Sequence, residues 1–263
     1  MKKILEINNL TYNHFKNFNL SINQKGYYLL SGKNNSGKTT LFNIVTGFIP
    51  TNNYVSCDNI DLNKESYRRY LKKVGIVCRV NTNSFLYTKV KSELEYPLKN
   101  LGYSDKKIEE RINYLLDLFS MKDILNKDIK NLNIYEQQML LIVLSLLHKP
   151  KILFIDGVLE IFSKEVKKKI LDCFNKLIRD EDLTIINFTI DLESFIETKI
   201  ILINDYQLID IYKYSDLFEK ADLFSENGLE IPFIFDLSNK LKMYNLIKDN
   251  YFDMKDMVDA IWK

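Results

Sequence analysis

Residues 31–40 read Ser-Gly-Lys-Asn-Asn-Ser-Gly-Lys-Thr-Thr, and this stretch decides the fold. Gly32 and Gly37 have the spacing of a phosphate-binding P-loop, and Lys38 and Thr39 close the motif. A polyphosphate is bound by several backbone N–H groups that point into one concavity, which side chains would block. Glycine supplies the close approach and the unusual dihedral angles. The alternative is a chance glycine-rich turn.

The sequence on either side of this loop favours the P-loop. Residues 27–30 are aromatic and apolar, which predicts a buried strand. Residues 41–45 are apolar at helical spacing, and the following Gly47 and Pro50 are typical of a helix end. A strand before the loop and a helix after it are the context that the motif requires.

Each residue type in the loop has an expected role. We expect Lys38 to reach the β- and γ-phosphates and Thr40 to donate to the α-phosphate. The Thr39 hydroxyl is expected to bind Mg²⁺, whose other ligands are usually waters and the substrate phosphates. The predicted ATP-binding residues of the loop are Gly32, Lys33, Asn34, Asn35, Ser36, Gly37, Lys38, Thr39 and Thr40.

Composition excludes several classes of protein. The chain has 263 residues, of which 46% are hydrophobic, enough for a folded core. A net charge of +2 argues against a nucleic-acid partner, which would require a concentrated basic face. The longest apolar run, residues 139–147, is too short to span a membrane, and no signal-peptide pattern opens the chain. We therefore expect a cytoplasmic protein.

The hydrophobic pattern indicates alternating strands and helices around the P-loop. Strands are predicted at 4–12, 18–22, 27–30, 55–62 (as a hairpin), 74–77, 151–156, 184–188, 199–203 and 207–211. Helices are predicted after the loop and at 67–72, 88–120, 135–148 and 163–178. This order is that of an α/β nucleotide-binding fold with a helical insert.

Asp156 is the candidate second ligand of Mg²⁺. P-loop enzymes need an acidic residue for the metal at the end of a hydrophobic strand, and Asp156 ends the apolar run 151–155. The spacing from Lys38 to Asp156 leaves room for an inserted helical subdomain. The alternative is that Asp156 caps the turn that follows it.

From about residue 4 to residue 262 the chain resembles the ATP-binding subunit of ABC transporters, and more closely the ATPase of energy-coupling factor (ECF) importers. Residues 72–77 match the strand before the family's glutamine loop, and residues 149–156 match the approach to its Walker B aspartate. Residues 227–233, with the helix after them and the final Ile261-Trp262, are similar to the C-terminal extension of the ECF subgroup.

The resemblance implies an architecture. It implies a P-loop NTPase fold with an ABC-type ATPase core, an antiparallel β subdomain, an inserted helical subdomain and a C-terminal helical extension. The nucleotide-binding domain would span 1–212, with the insert at about 85–135, and the extension would span 213–263. The family's adenine-stacking aromatic is matched by Tyr12.

The resemblance also implies function and partners. The chain would be the ATP-binding subunit of a vitamin or metal-ion importer, peripheral at the cytoplasmic face of the cell membrane, with ATP and Mg²⁺ as its cofactors. Its partners would be a second ABC ATPase subunit in a homo- or heterodimer, a transmembrane coupling protein and a substrate-binding membrane subunit. Residues 85–98 correspond to the family's contact with a coupling helix, and packing of this segment on its own core is the equal alternative.

The departures from the family lie on its catalytic positions. Asn35 stands where the family has a third loop glycine, and Asn tolerates left-handed dihedral angles, so ATP binding can survive. Arg79 replaces the family's glutamine, Gly157 its general-base glutamate and Ile190 its switch histidine. Residues 132–136, Leu-Asn-Ile-Tyr-Glu, replace the Leu-Ser-Gly-Gly-Gln signature.

These replacements leave no catalytic residue of the family intact and predict weakened ATP hydrolysis, since a general base contributes about 10²- to 10⁴-fold in rate. Glu160 lies three residues past Gly157, and this spacing argues against its replacing the lost base. If this chain formed a dimer with an intact ATPase, both ATP sites between the two subunits would be damaged, because this chain contributes altered residues to each of them. The alternative function is a catalytically weak nucleotide-binding module that regulates or stabilises a partner ATPase; an exporter ATPase is disfavoured by the C-terminal extension.

Overall fold

A computed structural model describes residues 2–51, 54–194 and 197–262. Within these ranges the strands, in chain order, are β1 (Lys3–Tyr12), β2 (Phe15–Asn23), β3 (Gly26–Ser31), β4 (Val55–Cys57), β5 (Ile60–Asp61), β6 (Val74–Val77), β7 (Ile152–Asp156), β8 (Thr184–Phe188), β9 (Thr198–Asn204) and β10 (Gln207–Lys213). The α-helices are α1 (Lys38–Val45), α2 (Tyr67–Leu71), α3 (Val90–Asn100), α4 (Asp105–Leu118), α5 (Ile134–Leu146), α6 (Lys164–Glu181), α7 (Ala221–Glu226), α8 (Phe233–Met243) and α9 (Met254–Ile261).

A six-stranded sheet in the order β10-β9-β3-β8-β7-β6 carries the nucleotide-binding elements. Its central strands β9, β3, β8, β7 and β6 are parallel, and β10 pairs antiparallel with β9 at one edge. Parallel strands are covered on both faces and therefore read as continuous apolar runs, which is the pattern of residues 152–155. The parallel order brings the carboxyl ends of β3 and β7 to the same edge of the sheet.

The first two strands belong to a separate antiparallel sheet in the order β2-β1-β4-β5. Along β2, buried and exposed residues alternate, as expected for a sheet with one face on the core and one in water. The predicted hairpin at 55–62 forms as β4 and β5, joined by a turn in which Asp58 and Asn59 both have positive φ.

Two hydrophobic clusters lie on opposite faces of the six-stranded sheet. Successive residues of β3 point to opposite faces, so Tyr27 and Leu29 join one cluster and Tyr28 and Leu30 the other. The second cluster also contains the apolar face of α1, which is thereby packed between the two sheets. This packing fixes the P-loop, because α1 follows it directly.

The predicted helical segment 88–120 forms as α3 and α4, which pack on each other and on α5. The inner faces of these helices are apolar and lie in the first cluster, together with Phe224 and Phe235 of the C-terminal segment. The boundary between residues 212 and 213 remains a prediction. In the described ranges, no helix combines the length and the apolar character that crossing a membrane requires.

Candidate functional site

The P-loop connects β3 to α1 and contains two residues with positive φ. Gly37 precedes the helix with φ of 104°, and Asn35 has φ of 64°. Asn is one of the few side chains that adopt the left-handed region readily. Asn35 therefore adopts the left-handed conformation that its residue type tolerates, and its effect on ATP binding stays a prediction.

The loop glycines are needed because neighbouring atoms leave no room for a side chain. A Cβ on Gly32 would lie 2.0 Å from the carbonyl oxygen of Ile203, and a Cβ on Gly37 would lie 2.7 Å from the Tyr206 ring. The Ser36 carbonyl accepts a hydrogen bond from the Tyr206 N–H at 3.0 Å. Strand β9 and the turn after it therefore hold the loop from behind.

Lys38 points back into the loop, where the phosphates are expected. Its Nζ donates to the carbonyl oxygens of Gly32 at 2.6 Å and Lys33 at 2.9 Å. Burial lowers the pKa of Lys38, and the negative charges of Asp156 and Glu160 oppose this shift. The ammonium group thus lies within electrostatic range of two carboxylates at the edge of the sheet.

The remaining predicted loop residues differ in exposure. Lys33 is half-buried and forms an ion pair with Asp205 at 3.0 Å, and Ser36 is fully buried. Among the described residues, the Ser36 hydroxyl has no hydrogen-bond partner. The others reach the surface of the loop or of the first turn of α1: Asn34, Thr39 and Thr40.

Asp156 is the last residue of β7. Burial raises the pKa of Asp156, and Glu160 adds to this rise, whereas Arg79 and Lys38 oppose it. The helical turn after the strand is preceded by Val158, so Asp156 does not cap it. The hydroxyl of Thr39 and the carboxylate of Asp156 are oxygen donors of the kind that Mg²⁺ prefers, and they fit that ion. In the described part of the chain no cluster of three His, Cys, Asp or Glu side chains suits a metal, so phosphates and water would complete its shell.

Tyr12 ends β1 and is half-buried against the second cluster. Its role in adenine stacking remains a prediction.

Sequence reasoning missed Tyr206, whose ring packs 5.1 Å from Phe15 and 4.9 Å from His14. Tyr206 and Asp205 both have positive φ in the two-residue turn between β9 and β10. The Asn-Asp sequence before Tyr206 was the available signal of such a hairpin.

Gly157 lies in a cluster that brings together residues distant in the chain. Arg79 Nε donates to the Gly157 carbonyl oxygen at 2.8 Å, and Arg79 Nη2 donates to Glu160 Oε2 at 2.7 Å. The Thr189 hydroxyl donates to Glu160 Oε1 at 2.8 Å. A helical turn at Leu159–Ile161 carries Glu160 back toward the end of β7. Glu160 lies in the turn beyond β7, as the sequence indicated, and its carboxylate contacts Arg79 beside Gly157; whether it can replace the lost base stays a prediction.

Ile190, which is predicted to stand at the family's histidine position, is about half exposed and follows Thr189, which is buried. The next residue, Asp191, accepts a short hydrogen bond from Lys167 of α6. Asp191 N–H in turn donates to the Thr189 hydroxyl at 3.0 Å. This ion pair anchors the turn that presents both Thr189 and Ile190.

The segment that is predicted to match the family's signature begins α5 with a capping box formed by Asn133 and Glu136. Asn133 Oδ1 accepts from the N–H groups of Tyr135 at 3.0 Å and Glu136 at 2.9 Å, and Glu136 accepts from Asn133 N–H at 2.8 Å. Ile134 and Tyr135 are both more than half exposed. The N–H groups of Asn133, Tyr135 and Glu136 are thus already paired within this capping box, and two large apolar side chains are exposed beside it.

Gln138 is a second residue that sequence reasoning missed. It is fully buried on α5, accepts from Val80 N–H at 2.8 Å and donates to the Cys78 carbonyl at 3.0 Å. It thereby ties the segment around Arg79 to the helix that begins at the signature position. The available signal was a polar residue directly before the apolar run 139–147 within a predicted helix.

The predicted coupling segment divides between core and surface. Val90 and Leu94 are buried in the first cluster, as the packing alternative predicted. Leu86 is 74% exposed and Tyr87 is 41% exposed, and Glu93 Oε2 accepts from both of their N–H groups. The exposed apolar surface of this segment is therefore formed by Leu86 and Tyr87 of the turn before α3 together with Tyr96 of α3, whose ring lies 5.3 Å from that of Tyr87.

The C-terminal extension touches the P-loop directly. Gly228, with φ of 72°, packs so closely that a Cβ there would lie 2.9 Å from Lys33 Cβ. Leu229 beside it is buried in the first cluster.

Sequence comparison agrees with this geometry. The sequence profile of the ABC transporter family matches residues 15–159, more than half of the chain. The chain is 26% identical over 243 residues to the energy-coupling factor transporter ATP-binding protein EcfA of Pediococcus pentosaceus, covering 89% of this chain and 87% of the relative. It is 25% identical over 258 residues to EcfA1 of Mesomycoplasma hyopneumoniae, covering 97% of this chain and 93% of the relative.

Two solved structures share the fold. The cbiO1 protein of Clostridium perfringens, part of the ABC transporter complex cbiONQ, matches with a TM-score of 0.75 and 20% identity over 90% of this chain and 99% of that one. The ATP-binding cassette MJ0796, solved as a dimer bound to ADP and Pi, matches with a TM-score of 0.68 and 23% identity over 80% of this chain and 99% of that one. These matches confirm the predicted fold class.

Proposed function

Because this chain belongs to the ABC transporter family, we propose that it is the ATP-binding subunit of an ECF-type importer. It binds Mg-ATP at the P-loop, couples nucleotide-dependent dimerisation to a transmembrane partner, and hydrolyses ATP weakly. The observation that carries the proposal is that the P-loop with Lys38 follows β3 and Asp156 ends β7, so that both lie at the carboxyl edge of the same parallel sheet. The printed names of its relatives supply the importer class.

Mg²⁺ would be held by Thr39 and Asp156, and it would neutralise charge on the phosphate oxygens. Lys38 would leave its two carbonyl partners to meet the phosphates, and the loop N–H groups would bind the same oxygens. The adenine ring would stack on Tyr12. The loop glycines allow the loop to pack against β9 and Tyr206 in this conformation.

The partners are those of an importer. We propose a second ABC ATPase subunit in a homo- or heterodimer, a transmembrane coupling protein and a substrate-binding membrane subunit, with this chain peripheral at the cytoplasmic face of the membrane. The exposed apolar pair Leu86 and Tyr87 supports a contact with the coupling protein.

Three features support weak hydrolysis. Gly157 and Ile190 provide neither a carboxylate nor an imidazole, and the N-terminus of α5 is already capped by Asn133. Loss of a general base alone predicts a fall of about 10²-fold or more. These features equally support the second candidate, a catalytically weak nucleotide-binding module that regulates or stabilises a partner ATPase.

The test compares the full-length chain with Lys38→Ala and with the exposed control Lys91→Ala. Titration with a fluorescent ATP analogue should show tight binding by wild type and the control and sharply weaker binding by Lys38→Ala. Phosphate release should be about 10²-fold or more below that of an ABC ATPase with intact motifs. Equal ATP affinity in wild type and Lys38→Ala would refute the P-loop assignment, and ordinary turnover would refute weak hydrolysis.

The two candidate functions differ in their membrane partner. An importer subunit should co-purify with polytopic membrane proteins. Its gene should lie beside genes for such proteins and for an intact ATPase. A regulatory module should co-purify with the partner ATPase alone.

A further inference from the structure

The carboxylate of Glu160 lies beside Gly157, the position where the family is expected to have its general-base glutamate. A Cβ on Gly157 would be 3.5 Å from Glu160 Oε2 and 3.1 Å from Arg79 Nη2. Glu160 therefore places a carboxylate next to position 157, although it reaches there from a different point of the chain.

The Glu160 carboxylate is held from two sides. Arg79 Nη2 donates to Oε2 and the Thr189 hydroxyl donates to Oε1, while Arg79 Nε also binds the Gly157 carbonyl. Each carboxylate oxygen can accept more than one hydrogen bond, so both retain acceptor capacity. The glutamate side chain is 29% exposed, which leaves water access to the carboxylate.

The position of Glu160 relative to the phosphate site is also suitable. Its charge acts on both Lys38 and Asp156, the proposed phosphate and Mg²⁺ residues. Thr189, which holds it, follows β8, and β8 lies between β3 and β7 in the sheet. The carboxylate thus lies at the same sheet edge as the loop.

We propose that Glu160 is the catalytic base for the residual ATP hydrolysis of this chain, held in place by Arg79 and Thr189. This inference rests on the proposed function. A water molecule attacks the γ-phosphorus, a new P–O bond forms, and the bond to the β-phosphate oxygen breaks with its electron pair leaving on ADP. The proton of the water passes to Glu160 and from there to solvent.

The pair of Arg79 and Glu160 explains two departures from the family together. A glutamate at 157 and a glutamine at 79 are both absent, and the side chains now at 79 and 160 contact each other beside Gly157. The acidic function moves three residues along the chain, and the arginine fixes its new position. Charge-assisted contacts of this kind are stronger and more directional than neutral ones.

The test is Glu160→Gln, which keeps the size of the side chain and removes its charge. Single-turnover hydrolysis of γ-labelled ATP, with the full-length protein in excess, measures slow rates above the background in buffer. We expect Glu160→Gln to lower the rate about 10²-fold, the low end of the range for a general base, while ATP affinity changes less than about twofold. The exposed matched control Glu165→Gln should keep the wild-type rate.

The possible results separate the inference from the proposed function. An unchanged rate in Glu160→Gln overturns the inference, as does a faster rate, which would make the pair with Arg79 an inhibitory latch. A wild-type rate no greater than that of buffer also overturns it, while leaving the ATP-binding part of the proposed function intact. Failure of wild type to bind ATP overturns the proposed function itself. If Glu160→Gln fails to bind ATP, the test uses Glu160→Asp, whose shorter side chain withdraws the carboxylate. The same fall in hydrolysis rate is expected, and an unchanged rate overturns the inference.

Discussion

The contact between the C-terminal extension and the P-loop can be tested with two glycines that differ in one respect. Gly228 and Gly102 have similar positive φ values, 72° and 79°. A Cβ on Gly228 would lie 2.9 Å from Lys33 Cβ, whereas a Cβ on Gly102 would meet nothing within 4 Å. The substitution Gly102→Ala therefore measures backbone strain alone, and Gly228→Ala measures strain plus the contact.

The expected magnitudes follow from these two terms. A left-handed alanine costs about 1–2 kcal/mol, and reduced freedom of the unfolded chain returns about 0.4–1 kcal/mol, so both variants lose about 1 kcal/mol from backbone effects. Overpacking at a tight contact typically adds about 1–3 kcal/mol. We expect Gly228→Ala to lose about 2–4 kcal/mol in total.

We expect the C-terminal extension, rather than the P-loop, to shift when Gly228→Ala introduces a Cβ against Lys33. Gly32 lies directly against the backbone of β9, and Gly37 lies against Tyr206 and Phe15, so the loop has no space to retreat. ATP affinity of Gly228→Ala should therefore remain within about twofold of wild type, even though its stability falls.

Urea unfolding gives the free energies, and titration with a fluorescent ATP analogue gives the affinities. Equal free energies of unfolding for the two variants would refute the close contact between Gly228 and Lys33. A severalfold loss of ATP affinity in Gly228→Ala alone would refute the rigidity of the loop.

Further substitutions test adenine stacking, the membrane contact and the buried histidine. Tyr12→Ala should weaken ATP binding by about 1–3 kcal/mol in the same titration, and unchanged affinity would make Tyr12 only a strand residue. Leu86→Asp and Tyr87→Asp should reduce recovery of the chain with membranes without changing ATP affinity; unchanged recovery would remove this surface from the proposal. Burial lowers the pKa of His148, so as pH falls below about 6.5 the unfolded chain binds a proton that the folded chain does not. Wild type should therefore lose stability more steeply than His148→Gln below that pH in urea unfolding, and parallel curves would contradict this; glutamine can keep the donation to the Val74 carbonyl.

Local features of the P-loop were predictable from the sequence. The spacing of Gly32 and Gly37, the strand before them and the helix after them form as expected. The left-handed conformation of Asn35 also follows from its residue type. These features depend on residues that are close together in the chain, so that a few consecutive residues are enough to predict them.

Element boundaries were less exact than element types. The predicted strand 18–22 begins at Phe15, and the predicted helix 163–178 continues to Glu181. The boundaries move because pairing partners and caps extend an element beyond its periodic core; Ser163, for example, caps α6 and is not part of it.

The P-loop, the apolar strand that ends in Asp156 and the losses at Gly157 and Ile190 were determined by the sequence itself. The tertiary structure decided which side chains meet there. Arg79, Glu160 and Thr189 follow different strands and come together only because β6, β7 and β8 are adjacent and parallel in the sheet. Contacts between distant residues depend on strand order, and strand order results from burying apolar faces across the whole chain rather than from any local pattern.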